Sequence, residues 1–121
     1  MSAKDEVTIY HNPRCSKSRQ TLALLREHGV EPKVVEYLKD LPSPTRIRAL
    51  IKLLGIEPHA LVRAKEAAYV ESGLSRESSA NDIVKSIAEH PVLLERPIVV
   101  RGERAAIGRP LENVLSLLKK P

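Results

Sequence analysis

The chain contains a single cysteine, Cys15, and the residues around it are the first sign of chemistry. Arg14, Ser16, Lys17 and Arg19 surround it with charge and polarity, a poor setting for core burial. His11 lies four residues upstream, where an imidazole could pair with a thiolate. Cys15 also stands at the start of a predicted helix. Helix N-termini present unpaired amides and a partial positive charge. Both lower a thiol pKa and favour the nucleophilic thiolate near neutral pH. The blander alternative is an inert cysteine serving as a small hydrophobe, and it fits these neighbours less well.

Several chemistries fail on spacing. A phosphatase-type loop needs an arginine six residues after the cysteine, and Thr21 stands there. A dithiol redox loop needs Cys-x-x-Cys, and the fourth position is Ser18. No phosphate-cradling glycine loop is present. One cysteine makes no internal disulfide and no Cys-rich zinc site. No metal-ligand spacing is found, and His28, His59 and His90 are assigned no chemistry. Redox work at Cys15 must therefore borrow a thiol from another molecule.

The elements that must position the cysteine follow from pattern. Val7-Thr8-Ile9-Tyr10 is a β-prone run that ends at the turn signal His11-Asn12-Pro13. Residues 16–28 read as a helix with Leu22, Leu24 and Leu25 on one face and Gly29 as its stop. Residues 33–38 form the second strand, parallel to the first through a helical crossover. Ser43 and Pro44 open a helix that ends at Gly55. A shorter, less regular helix is expected from Pro58 to about Val70. Ser78 or Ser79 caps another that stops before Pro91. Residues 97–100 and 104–107 make a hairpin about Arg101-Gly102-Glu103, and Pro110 opens a last helix. The order is β-α-β, a helical insertion at about 43–90, then β-β-α. It predicts an α/β chain of thioredoxin-like fold with a four-stranded mixed sheet, as one domain over residues 1–121.

Bulk composition bounds the rest. At 121 residues the chain has room for one compact domain. With no Trp, no Phe and three Tyr, its core must be aliphatic. No window approaches the ~20 apolar residues of a membrane span. Met1 to Glu6 is polar and charged and does not resemble a secretory signal, so a cytoplasmic protein is expected. Nothing in the sequence suggests an obligate dimer, and a monomer is expected. The net charge of +5 fits a mildly basic surface or an anionic substrate. Nucleic acid is disfavoured, because the chain has almost no aromatic stacking surface.

The stretch His11-Asn12-Pro13-Arg14-Cys15-Ser16-Lys17-Ser18-Arg19 resembles the glutaredoxin-coupled arsenate reductases, and more closely their small branch with a Cys-Ser-Lys-Ser-Arg loop. Leu61-Val62-Arg63, Leu94-Glu95-Arg96-Pro97-Ile98-Val99-Val100 and Gly108-Arg109-Pro110 extend the likeness over essentially the whole chain. The resemblance implies that Cys15 is the nucleophile and that His11 helps keep it ionised. It implies that Arg63, Arg96 and Arg109 bind a tetrahedral oxyanion and that Pro97 follows a cis peptide bond. It further implies arsenate as substrate, glutathione as co-substrate and glutaredoxin as partner. Two alternatives share the scaffold. One is a glutathione-dependent thiol transferase, which needs Cys15 and Pro97 but no arginine cluster. The other is a non-enzymatic Spx-type regulator that binds RNA polymerase. Many such regulators use Cys-x-x-Cys, which Ser18 interrupts here.

Overall fold

The computed structural model of the chain describes residues 6–118. Most of the polar N-terminal stretch, Met1 to Asp5, lies outside the described residues. β1 (Val7–His11) runs through the middle of a four-stranded sheet of order β2-β1-β3-β4. Val7, Ile9, Tyr10 and His11 are all buried, as a strand with neighbours on both sides demands. β2 (Lys33–Glu36) pairs parallel to β1 with His11 opposite Glu36. β3 (Ile98–Arg101) pairs antiparallel to β1 with Tyr10 opposite Ile98, and β4 (Arg104–Ile107) completes a hairpin with β3. Gly102 sits at the hairpin tip with φ of 61°, a conformation that glycine adopts without steric cost.

The chain divides into two compact units. The first runs to Tyr37 and resumes at Arg96. It holds the sheet, α1 (Ser16–Glu27) and α5 (Leu115–Leu118), with a 3-10 turn at Leu111–Val114 leading into α5. Its core is aliphatic: Val7, Ile9, Leu25, Val99, Val114 and Leu117 pack together, with Leu22 and Leu24 against them. Tyr10 and Tyr37 are buried as well, so two of the few aromatic rings do contribute.

The second unit spans Leu38–Glu95. It holds α2 (Pro44–Leu54), α3 (Ala67–Glu71) and α4 (Ala80–Glu89). α2 packs on α4 through residues such as Ile47, Leu50, Ile83 and Ile87, all essentially inaccessible to solvent. The punctuation works as expected. Ser43 accepts from the Arg46 amide at 3.1 Å, Gly55 turns left-handed at φ 64°, and Ser79 caps α4 through the Asp82 amide.

Residues 58–70 are not a single helix. A 3-10 turn at Pro58–Leu61 gives way at Val62 to an isolated antiparallel bridge with Leu94. Arg63 N–H donates to Leu93 O at 2.7 Å, and Glu95 N–H donates to Leu61 O at 2.8 Å. The backbone satisfies itself across the unit, which pulls Arg63 out of the helix before α3 begins. The second strand is also shorter than expected, ending at Glu36, because residues 37–39 turn away from β1.

Gly108 joins β4 to the last segment under a tight constraint. Its N–H donates to Pro97 O at 2.9 Å. A Cβ there would lie 2.7 Å from Thr21 Oγ1 and 2.9 Å from Pro97 Cγ. Neither neighbour swings away easily: Thr21 is buried and bonded to Lys17 O at 2.8 Å, and Pro97 is a buried ring. Gly108→Ala is therefore expected to destabilise by about 1–3 kcal/mol through overpacking, read as a lower urea midpoint. An unchanged midpoint would mean that this contact carries no constraint.

Candidate active site

Cys15 is the N-cap residue of α1, with φ −92° and ψ 122°. Its own N–H donates to Asn12 O at 2.9 Å, and its C=O accepts from Arg19 N–H at 3.0 Å. The side chain therefore stands where a capping oxygen would normally meet the first-turn amides. The residue is only 8% exposed, more buried than its charged neighbours imply. The groups facing its sulfur are nonetheless polar and cationic. Arg109 Nη2 lies 3.5 Å from Sγ.

Burial pushes the Cys15 thiol up, and four influences outweigh it. They are the Ser18 amide, the positive charge of Arg96, the Lys17 amide and the positive charge of Arg109. The outcome is a thiol pKa below its ordinary value. The lowering follows from backbone geometry and from two guanidiniums that reach the sulfur from far along the chain.

Arg96 and Arg109 are brought together by the segments around Pro97 and Gly108. The Arg96–Pro97 peptide bond is cis, as expected. The Arg109–Pro110 bond is also cis, a feature the sequence did not suggest. Arg109 Nε donates to Arg96 O at 2.7 Å, which ties the side chain down at one edge while Nη2 faces the sulfur. Asn113 Nδ2 donates to Arg109 O at 3.2 Å and holds the backbone beside it.

His11 stands at the end of β1, 6% exposed. Its Nδ1 lies 2.6 Å from Ser18 Oγ. The imidazole thus reaches the cysteine through Ser18, whose own amide faces the thiolate. Burial lowers the His11 pKa; Glu36 opposes this, and Arg26 and Arg19 reinforce it. A ring held neutral near neutral pH supplies no charge to Cys15. Its side-chain bond is to Ser18.

Ser18 is the residue that spacing arguments passed over. In addition to its bond with His11, the Ser18 hydroxyl accepts from the Asn12 amide at 3.0 Å. Asn12 Oδ1 in turn accepts from Arg14 N–H at 3.0 Å, and Arg19 Nη1 donates to Pro13 O at 2.9 Å. These bonds brace the loop from His11 to Cys15. A signal was present: Ser18 falls on the stripe of α1 that carries Thr21 and Leu25, and all three are fully buried. A hydroxyl on a buried stripe must find a partner.

Arg63 belongs to the second unit, and its Nη1 forms an ion pair with Glu66 Oε1. His59 shares a hydrogen bond of 2.8 Å with Tyr69 Oη, and His28 Nδ1 lies 3.0 Å from Leu24 O. Among the described residues, no group of three or more His, Cys, Asp and Glu is placed to hold a metal ion.

Comparison with known proteins bears on this arrangement. The family model for the ArsC family matches residues 10–117. An arsenate reductase of Neisseria meningitidis serogroup A is 44% identical over 93% of this chain and 98% of its own length. The uncharacterized protein YfgD of Escherichia coli K12 is 47% identical over 93% of this chain and 97% of its own. The solved structure of an arsenate reductase from Vibrio cholerae superposes with a TM-score of 0.88 at 47% identity, over 92% of this chain and 96% of that one. A family match over nearly the whole described chain, with relatives this similar and a shared thioredoxin-like architecture, means that the chain belongs to the ArsC family.

Proposed function

We propose that this protein is an oxidoreductase that reduces arsenate to arsenite, with Cys15 as nucleophile and glutathione and glutaredoxin as thiol donors. The observation that carries the reading is a thiol at a helix N-terminus with the Arg109 guanidinium 3.5 Å from its sulfur. Arsenate carries one to two negative charges near neutral pH, so an anionic nucleophile would repel it in water. Guanidiniums that stay charged offset that repulsion and donate paired hydrogen bonds to oxyanions. Arg96 and Arg109 fill this role beside Cys15. Arg63 is assigned to the same oxyanion on the family resemblance alone.

The Cys15 thiolate forms a bond to arsenic and displaces one arsenate oxygen, which leaves as water after protonation. A glutathione thiolate then attacks the Cys15 sulfur. The S–S bond forms, the S–As pair departs with arsenic, and arsenic falls from the +5 to the +3 state as arsenite. The protein is left as a mixed disulfide on Cys15. With a single cysteine in the chain, a second external thiol must exchange with that disulfide, and glutaredoxin supplies it. A reduced cytoplasmic thiol pool suits this cycle.

The deciding assay compares NADPH-coupled arsenate turnover, with glutathione and glutaredoxin present, against reduction of a glutathione mixed disulfide. The first reaction is expected to run, and Cys15→Ser to abolish it while leaving arsenate binding in place. If only the mixed disulfide is reduced, the protein is a thiol transferase and the reductase reading fails.

Arg96→Ala is expected to lose about 1.5–3 kcal/mol of charged hydrogen bonding to the oxyanion, seen as a lower kcat/KM for arsenate. Arsenate kinetics indifferent to this change would remove Arg96 from the site.

The pH profile carries a sign. The thiolate is the active form, so kcat/KM is expected to rise as pH climbs through the lowered Cys15 pKa. Arg109→Ala removes one of the cations that lower it, so the rise moves to higher pH. Thiolate absorbance titrated on both proteins reads this directly. An unmoved or acid-shifted titration would contradict it.

A further inference from the structure

The start of α1 is a modified box of reciprocal bonds, with sulfur in the place of a hydroxyl. In the usual box the N-cap side chain accepts from the amide three residues on, and the side chain there reaches back to the N-cap amide. Cys15 is the N-cap residue of α1, and Ser18 stands three residues on. The forward half survives as the pull of the Ser18 amide on the sulfur. The return half is moved back into the loop. Cys15 N–H donates to Asn12 O at 2.9 Å, and the Ser18 hydroxyl accepts from Asn12 N–H at 3.0 Å. Asn12 is therefore held through both its C=O and its N–H, by Cys15 and by Ser18.

The Ser18 hydroxyl is fixed in turn. It lies 2.6 Å from His11 Nδ1, at the end of β1. A hydroxyl has one donor and two acceptor lone pairs, enough for both partners at once. His11 is buried and Ser18 fully so, which shelters these bonds from water. One side chain thus joins the end of β1, the loop and the first turn of α1, all within the unit that holds Cys15.

We propose that Ser18 is a positioning residue for the nucleophile: its hydroxyl ties Asn12 and His11 to the first turn of α1 and so holds the Cys15 sulfur over the amides of that turn. This rests on the reading of Cys15 as a thiolate nucleophile. Amides stabilise the anion only within hydrogen-bond reach, and such bonds weaken steeply as their angle closes. A loop released from Ser18 lets the Cys15 side chain drift from that geometry. Alanine at 18 keeps the helix amides and cuts both ties. The guanidiniums that act on the sulfur, Arg96 and Arg109, come from other segments and stay in place.

The test titrates thiolate absorbance in the wild-type protein, Ser18→Ala, Ser18→Thr and His11→Ala. It also measures alkylation by iodoacetamide, a neutral reagent that needs no oxyanion site. All readings are taken well below each protein's thermal midpoint. Ser18→Ala is expected to raise the thiol pKa, leaving about three-fold less thiolate at any pH below both titrations, with alkylation there slowed in proportion. Ser18→Thr keeps the hydroxyl and is expected to titrate close to the wild type. His11→Ala cuts one tie and leaves the Asn12 bond, so its shift has the same sign and is smaller. If the wild-type thiol titrates at its ordinary value, the reading of Cys15 as a thiolate nucleophile falls. If the wild-type value is lowered and Ser18→Ala leaves it unmoved, the role of Ser18 alone is overturned. A shift in His11→Ala larger than that in Ser18→Ala overturns it too, because the imidazole would then act without the serine. A rise in Ser18→Ala that threonine fails to reverse marks a packing effect and likewise overturns it.

Discussion

A negative charge on one sulfur is expensive in a protein interior unless donors meet it. At Cys15 burial pushes the thiol toward the neutral form, while two first-turn amides and two guanidiniums push the other way and prevail. The amides exist because α1 starts at that residue. The guanidiniums arrive because β3 and β4 return the chain so that Arg96 and Arg109 meet beside it, with Arg109 Nε anchored on Arg96 O. Most of the first unit can be read as the apparatus that brings these four positive groups near one atom. The aliphatic core beneath the sheet holds the elements rigid enough for a contact of 3.5 Å to persist.

The loop ahead of α1 adds a second layer of restraint. His11, Asn12 and Ser18 share hydrogen bonds, and Arg19 grips Pro13 O. None of these bonds touches the sulfur, but Ser18 presents its amide to it. A neutral imidazole suits this work better than a charged one, because Nδ1 can then accept from the Ser18 hydroxyl while that hydroxyl accepts from Asn12. Burial lowers the His11 pKa and so favours the neutral ring.

Much of the fold was legible because its punctuation is local. Ser43 with Pro44, Gly55, Ser79 and the hairpin at Gly102 each act through neighbours a few residues away, and each stands where it was expected. The segment around Arg63 departs from the expected helix because its determinant is not local: Val62 pairs with Leu94, and no pattern within residues 58–70 reveals that partner. The site divides in the same way. Cys15 at a helix start follows from sequence alone. That Arg96 and Arg109 face it depends on strand return, which only the family resemblance supplied. Ser18 was readable in principle, as a hydroxyl on a buried stripe, whereas spacing shows it only as the place of a missing second cysteine.

That last residue has a wider consequence. Ser18 occupies the place where a dithiol protein carries its own resolving thiol, but here it is structurally employed, fully buried and bonded on two sides. A sulfur there would be larger and a poorer partner for both His11 and Asn12. Gaining self-sufficiency would therefore demand rebuilding the loop rather than exchanging one atom. Under the proposed chemistry, the chain is bound to its surroundings for every turnover, and its working rate tracks how well the cell keeps small thiols reduced.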